Sequence, residues 1–354
     1  MKKEAWLAVV CPMVLLAGIF SGAAHAAGDK TLSYGVGLRA GGGYTAYGSS
    51  TGTTGNQPNS VGITTLDVRP YISGQVLPFL KFEGNLDLNN SDLGRIHVLD
   101  AVAKFEPDEL FNVWFGRFLP PSDRANLSGP YYQNAWNFPS VNAYPSIYAG
   151  RADGAALWGQ VGQGRFKYQA GFFTTNPATP ADQGIYAGRL TFNFLDPEPG
   201  YYNSSTYYGA KDVLALGGAI QFQQMGAVVS PTDKRDLLGF NIDLLAEKRL
   251  PIGGGDTLTI EGAYYNFNKG SQGWSFFALA SYLIATRIGI GQLQPMGRYT
   301  QSNPTGGDAT KIIDGGINYI IDGHKTRLAL VVQNINPPQS QSSTSFQLGV
   351  QIQE

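Results

Sequence analysis

Cysteine is nearly absent from this chain, and the single one, Cys11, lies in its first apolar segment between Val10 and Pro12. A lipid-modified cysteine follows a small residue, and Val10 does not supply one. Once that segment is removed, no thiol remains for a disulfide framework, a thiolate metal site or a covalently attached haem. Charge is also scarce, at 14% of residues. The 25 basic and 26 acidic side chains fall to 23 and 25 without Lys2, Lys3 and Glu4, a formal charge of −2. A nucleic-acid binder would carry a basic excess, so that class of partner is excluded. Beyond the first segment only His97 and His324 remain as histidines, too few and too far apart for a His-rich metal site. The glycine runs 41–43 and 253–255 lack the Lys-Ser/Thr of a phosphate-binding loop. No recognisable catalytic constellation or cofactor motif is present, and the expectation is a protein that is not an enzyme.

Long apolar runs are missing after residue 26 as well. The longest, 276–285, is broken by Ser281. The run at 6–20 follows Lys2 and Lys3 and precedes Ala24-His25-Ala26. A positive start, a short apolar stretch and small residues before a cut describe a secretory signal peptide over 1–26. It is shorter than the roughly 20 residues a spanning helix needs. If the mature chain, 27–354, sits in a membrane, strands must hold it there, because only helices and closed barrels satisfy every backbone group in hydrocarbon.

What is abundant suits strands. Glycine stands at 46 of 354 residues, about twice its usual ~7% share, and Tyr and Phe contribute 19 each. Gly with aromatics and few charges fits a transmembrane barrel with aromatic girdles. Alternation with period two is the decisive pattern. Over 80–88, Leu80, Phe82, Gly84, Leu86 and Leu88 fall on one face, and Lys81, Glu83, Asn85 and Asp87 on the other. The same holds over 165–172, 238–244 and 346–352. About sixteen such segments are expected, an even number as in single-chain bacterial barrels. They fall at 32–44, 61–75, 79–89, 95–105, 111–119, 152–161, 165–174, 185–194, 212–223, 236–250, 256–268, 274–284, 289–300, 312–321, 325–334 and 344–353.

The connectors alternate in length. Compact turns occupy 162–164, 251–255 and 322–324, whereas 45–60, 120–151, 175–184, 224–235 and 301–311 are long and polar. In an outer-membrane barrel the short set is periplasmic and the long set extracellular. The connector 195–211 breaks the pattern: either it is a true exception or it hides a short hairpin. A soluble sandwich or propeller is the rival all-β reading. The leader, the loop alternation and a closing alternating strand favour the barrel, and no propeller-length repeat is found.

Gly116-Arg117-Phe118-Leu119-Pro120-Pro121 with Asn126-Leu127 resembles the strand end that enters the third loop in the phosphate-selective porin O and P family. Arg151-Ala152-Asp153-Gly154 with Leu157-Trp158-Gly159, the stretch 291–299, and Gly316-Ile317-Asn318-Tyr319 with 323–328 resemble later strands in the same order. The resemblance spans about 66–354. It implies a sixteen-stranded homotrimer in the outer-membrane bilayer whose third loop folds into the lumen. Phosphate selectivity in that family goes with basic residues at the constriction. Here the stretch 120–150 holds Arg124 as its only basic residue, beside Asp123, and the chain ends Ile352-Gln353-Glu354 without the family's terminal aromatic.

A pore selects at its narrowest ring. The long third connector, rich in aromatics and Asn, is the natural candidate, with Tyr131 and Trp136 among its rings. Lys81, Glu83, Arg117, Arg151, Lys167 and Arg189 fall on the expected lumen face, and Asp123 and Arg124 join them from the connector. Arg117, Arg151, Lys167 and Arg189 come from neighbouring strands and would form a basic arc opposite Glu83 or Asp123. The expectation is a porin for passive diffusion of small hydrophilic solutes or ions with weak or no anion preference. The alternative is a non-conducting sleeve or scaffold around a partner such as a multihaem cytochrome.

Overall fold

In the computed structural model, residues 31–49, 57–90, 95–175, 183–230, 233–267, 273–338 and 340–354 are described. The leader expected at 1–26 lies outside them. The chain runs β1 Thr31–Tyr47, β2 Ser60–Leu77, β3 Leu80–Asn89, β4 His97–Phe105, β5 Asn112–Phe118, then a short helix α1 Arg124–Ser128. It continues with β6 Ala152–Val161, β7 Phe166–Thr174, β8 Ile185–Asn193, β9 Val213–Ser230, β10 Asp233–Arg249 and β11 Thr257–Phe267. The last strands are β12 Gly273–Leu283, β13 Gln292–Asn303, β14 Thr310–Asp322, β15 Thr326–Asn336 and β16 Ser343–Gln353. Each strand pairs antiparallel with its neighbours in sequence, and β1 closes the barrel on β16, from Gly37 opposite Gln353 to Tyr47 opposite Ser343. Closure leaves no edge strand to expose unpaired backbone groups.

The period-two pattern decides which way each side chain faces. On β8, Tyr186, Leu190 and Phe192 are exposed on the outer wall, while Ala187, Arg189, Thr191 and Asn193 are buried within. On β16, Phe346, Leu348 and Ile352 face out, and Gln347 and Gln351 face in. Apolar outside and polar inside is the arrangement of a barrel built for lipid.

Most strand bounds fall within three residues of the alternation read from sequence. The stretch 224–235 differs, because β9 and β10 continue through most of it as a long hairpin. There Ala227 and Leu237 bury their side chains together, so pairing continues where a polar loop was expected. The connector 194–212 contains no hidden hairpin and is a true exception at the short-turn end.

Candidate functional site

Two connectors from opposite ends of the barrel turn inward and meet. The first is the third long connector, 119–151. Phe118 and Leu119 enter it packed against Trp114, Trp158, Phe173 and Ile185, so the chain leaves β5 toward the lumen. Asp123 then caps α1 by accepting a hydrogen bond from the Asn126 amide at 3.0 Å. Tyr265 on β11 donates to the same carboxylate at 2.9 Å. Burial raises the Asp123 carboxyl above its ordinary range, against the lowering effect of these two donors.

From α1 the connector crosses the lumen and is held by its own backbone carbonyls. Arg327 on β15 donates to the Gln133 carbonyl at 2.7 Å, Arg39 on β1 to that of Trp136 at 2.5 Å, and Arg298 on β13 to that of Asn137 at 2.7 Å. Coming back, the Asn142 amide donates to Ser275 on β12, the Tyr144 hydroxyl to Asn241 on β10, and the Tyr148 hydroxyl to Asp87 on β3. The expected inward fold of the third loop is therefore present, tied to strands around most of the wall. Glycine makes room for its rings: a Cβ on Gly349 of β16 would lie 2.5 Å from the Trp136 indole, and one on Gly37 of β1 2.7 Å from the Tyr131 ring.

The second inward segment is 194–212. Its chain is fastened by carboxylates on the wall. Glu247 on β10 accepts from the Thr206 hydroxyl and from the amides of Tyr207 and Gly209, and Glu261 on β11 accepts from Ser205. Tyr201 stacks on Trp114 at 4.5 Å between ring centroids and donates its hydroxyl to the Leu119 carbonyl. His324, in the turn between β14 and β15, meets the Thr206 carbonyl at 2.9 Å and sits between the rings of Tyr132 and Tyr208. Burial lowers the His324 imidazole to about 4, with the charge of Arg327 acting in the same direction.

Arg124 joins the two segments. Its guanidinium donates to both oxygens of Glu198, at 2.8 and 2.6 Å, and to the Ser204 carbonyl at 2.7 Å. Burial works to raise the Glu198 carboxyl, but the adjacent Arg124 charge and its hydrogen bonds overrule it and bring the group to about 2. The pair is charged on both sides and shielded from water.

The residues expected at the constriction are divided by this packing. Arg189 makes a two-pronged ion pair with Asp243 at 2.6 and 2.8 Å, and Lys167 donates to the carbonyls of Gly200 and Tyr202; both are buried. Arg117 pairs with Asp153 at 2.6 Å, Arg151 with Asp100 at 3.3 Å, and Lys81 with Glu106 at 2.8 Å. Glu83 pairs with Lys104 and accepts from Asn85. Each of the four members expected in a basic arc has a carboxylate or carbonyl partner, and Arg117 does not face the lumen: on β5 it lies on the outer face with exposed Phe115, while Trp114 and Phe118 turn inward. Trp136 is buried under the Arg39 guanidinium, 4.2 Å from the ring centre. Tyr131 is buried, with the Arg69 guanidinium 5.7 Å from its ring.

Sequence reading missed Glu198, Tyr201, Tyr202 and Asn203, all in 194–212. The signal available for them was the anomalous length of that connector. It also missed Arg39 and Arg327, which hold the third connector.

Open space remains beside the two segments, against β2, β3 and β4. This cavity has a volume of about 770 Å³. Arg69, Glu83, Asn85 and Asp100 line it from the wall, Tyr131 and Tyr132 from the third connector, and Tyr202, Asn203 and Tyr207 from the second. It reaches Lys211, Lys325 and Glu354 at the short-turn end.

No protein-family model matches the chain, and no curated protein matches it in sequence. Solved structures do match in shape. The trimer form of OmpT, an outer membrane protein of Vibrio cholerae, superposes with a TM-score of 0.57 at 12% identity, covering 92% of this chain and 99% of that one. An anion-selective porin from Comamonas acidovorans gives 0.57 at 13% identity, covering 92% and 100%. A variant of the Rh. blastica porin gives 0.54 at 9% identity, covering 91% and 100%. The chain has the closed sixteen-stranded antiparallel fold of these bacterial outer-membrane barrels.

Proposed function

We propose that this chain is a porin of the bacterial outer membrane, passing small hydrophilic solutes by passive diffusion with weak or no anion preference. In this reading residues 1–26 direct export and are cleaved, and the mature barrel works as a homotrimer. The observation that carries it is the cavity of about 770 Å³ running beside two inward connectors. A lumen narrowed by its own loops, with polar walls, is how a barrel of this size sieves solutes. The motif resemblance supports kinship with the phosphate-selective porins in architecture. The paired state of Arg151 and Arg189 argues for a general pore over a phosphate-specific one.

A sleeve around a multihaem cytochrome needs a lumen free to hold a partner, and here Arg189, Asp243 and Glu261 on the wall are covered by the protein's own connectors. Liposome swelling with uncharged solutes of graded size tests the porin reading. Swelling should be fast for the smallest solutes and fall off sharply with size. Liposomes that do not swell with any of them would refute it.

A further inference from the structure

Within the cavity, two buried polar side chains lack partners among the described residues. Asn203 is only 8% exposed, yet neither its Nδ2 nor its Oδ1 has a hydrogen-bond partner among the described residues. Tyr131 is 6% exposed, and its hydroxyl likewise has none. Both line the same space. Buried polar groups are nearly always satisfied, so such a pair calls for water or a ligand that completes it. The two belong to different connectors, and docking of the connectors is what brings them to one cavity.

The surroundings narrow the chemistry. The charged groups nearby are compensated: Arg69 pairs with Asp87 at 2.6 Å, Arg151 with Asp100, and Glu83 with Lys104. Among the described residues, an ion would find no unpaired charge against β2, β3 and β4; the Lys211 and Lys325 ammonium groups stand at the cavity's short-turn end. What is uncommitted is an amide, with a donor and an acceptor side by side, and a phenol. Around them stand the further rings of Tyr132, Tyr202 and Tyr207. An amide that can both give and accept suits adjacent hydroxyl groups, and an aromatic wall suits the C–H face of a sugar ring. The volume lies within the usual range for small-molecule sites, roughly 300–1,000 Å³.

We infer that Asn203 and Tyr131 form a retention site for neutral polyhydroxylated solutes, mono- or disaccharides, inside the channel. The site rests on the proposed pore for its access route. It would make passage of such solutes saturable, whereas a plain sieve passes them in proportion to concentration.

The test is maltose titration against the single-channel current of the purified full-length mature barrel, with poly(ethylene glycol) of matched size and inorganic phosphate as comparisons. Maltose should block with saturation, and poly(ethylene glycol) should reduce current without it. Tyr131→Phe and Asn203→Leu remove groups that hold nothing in the protein, so thermal stability should stay the same or rise. Each should raise the half-blocking maltose concentration by about tenfold, as expected when ligand hydrogen bonds are lost. Equal block by maltose and poly(ethylene glycol), saturation by phosphate instead, or variants that bind maltose like the parent would each overturn the site. If the barrel passes no current, the pore reading fails. Calorimetric titration of the detergent-solubilised barrel with maltose then decides the site alone: saturable heat lost in the two variants supports it, and no heat overturns it.

Discussion

Arg124 and Glu198 stand in connectors from opposite ends of the barrel and meet as a two-pronged ion pair, each about 1% exposed. Removing one partner of such a pair strands the other charge in a dry site, at a cost of about 3–5 kcal/mol. Arg124→Met should therefore loosen both connectors. The single-channel current should become larger and noisier, and the Arg124→Met, Glu198→Gln double variant should be quieter than Arg124→Met alone. A current identical to the parent's would show that the pair does not hold the connectors.

Acid should release the same connectors in two stages. His324 has its folded value lowered to about 4 from the usual 6.5, so the undocked state takes up protons more readily. Its contribution to docking is complete above about pH 6.5 and is lost as pH falls toward 4. Glu198 is also lowered, to about 2, so its contribution is present above about 4.5 and is lost between 4.5 and 2. Current recorded from pH 7.5 to 3 should change first below 6.5. His324→Gln should abolish that first change and leave the second.

Room for Trp136 is made by Gly349. A methyl there would lie 2.5 Å from the indole, and overpacking of this kind costs about 1–3 kcal/mol. Gly349→Ala should shift the tryptophan emission and lower the midpoint of thermal unfolding, while the circular dichroism of the barrel stays intact. An unchanged spectrum and midpoint would place Trp136 elsewhere.

Charge selectivity should be weak in the parent. Arg151 and Asp100 line the cavity and compensate each other, so Arg151→Ser leaves an unpaired carboxylate there. Reversal potentials in a KCl gradient should lie near zero for the parent and move toward cation preference in the variant. A strong cation preference in the parent would contradict the balance of charges described for the cavity.

The wall was legible in the sequence because its signal is local. Along β8, Tyr186, Leu190 and Phe192 alternate with Ala187, Arg189 and Thr191, and lipid outside and polar packing inside impose that pattern residue by residue. Even the inward third connector left a trace, in its length and its rings. The lock between the connectors left none. Arg124 could be singled out as the lone basic residue of its loop, but Glu198 lies 74 residues further on, in a segment whose length alone looked unusual. Ion pairing across a lumen depends on where two loops end up in space, and no periodicity records that. For the same reason Arg151, Lys167 and Arg189 were readable as inward-facing, while their pairing with Asp100, Gly200 and Asp243 was not, and Arg117, expected to face inward, lies on the outer face of β5 beside Phe115.

The central claim is a water-filled passage beside a lumen otherwise filled by the chain's own connectors. Single-channel recording of the purified parent protein in planar bilayers tests it most directly. Discrete current steps are expected, smaller than those of a variant lacking 126–148 from the third connector. Absence of any steps, or steps of equal size with and without that segment, would contradict it.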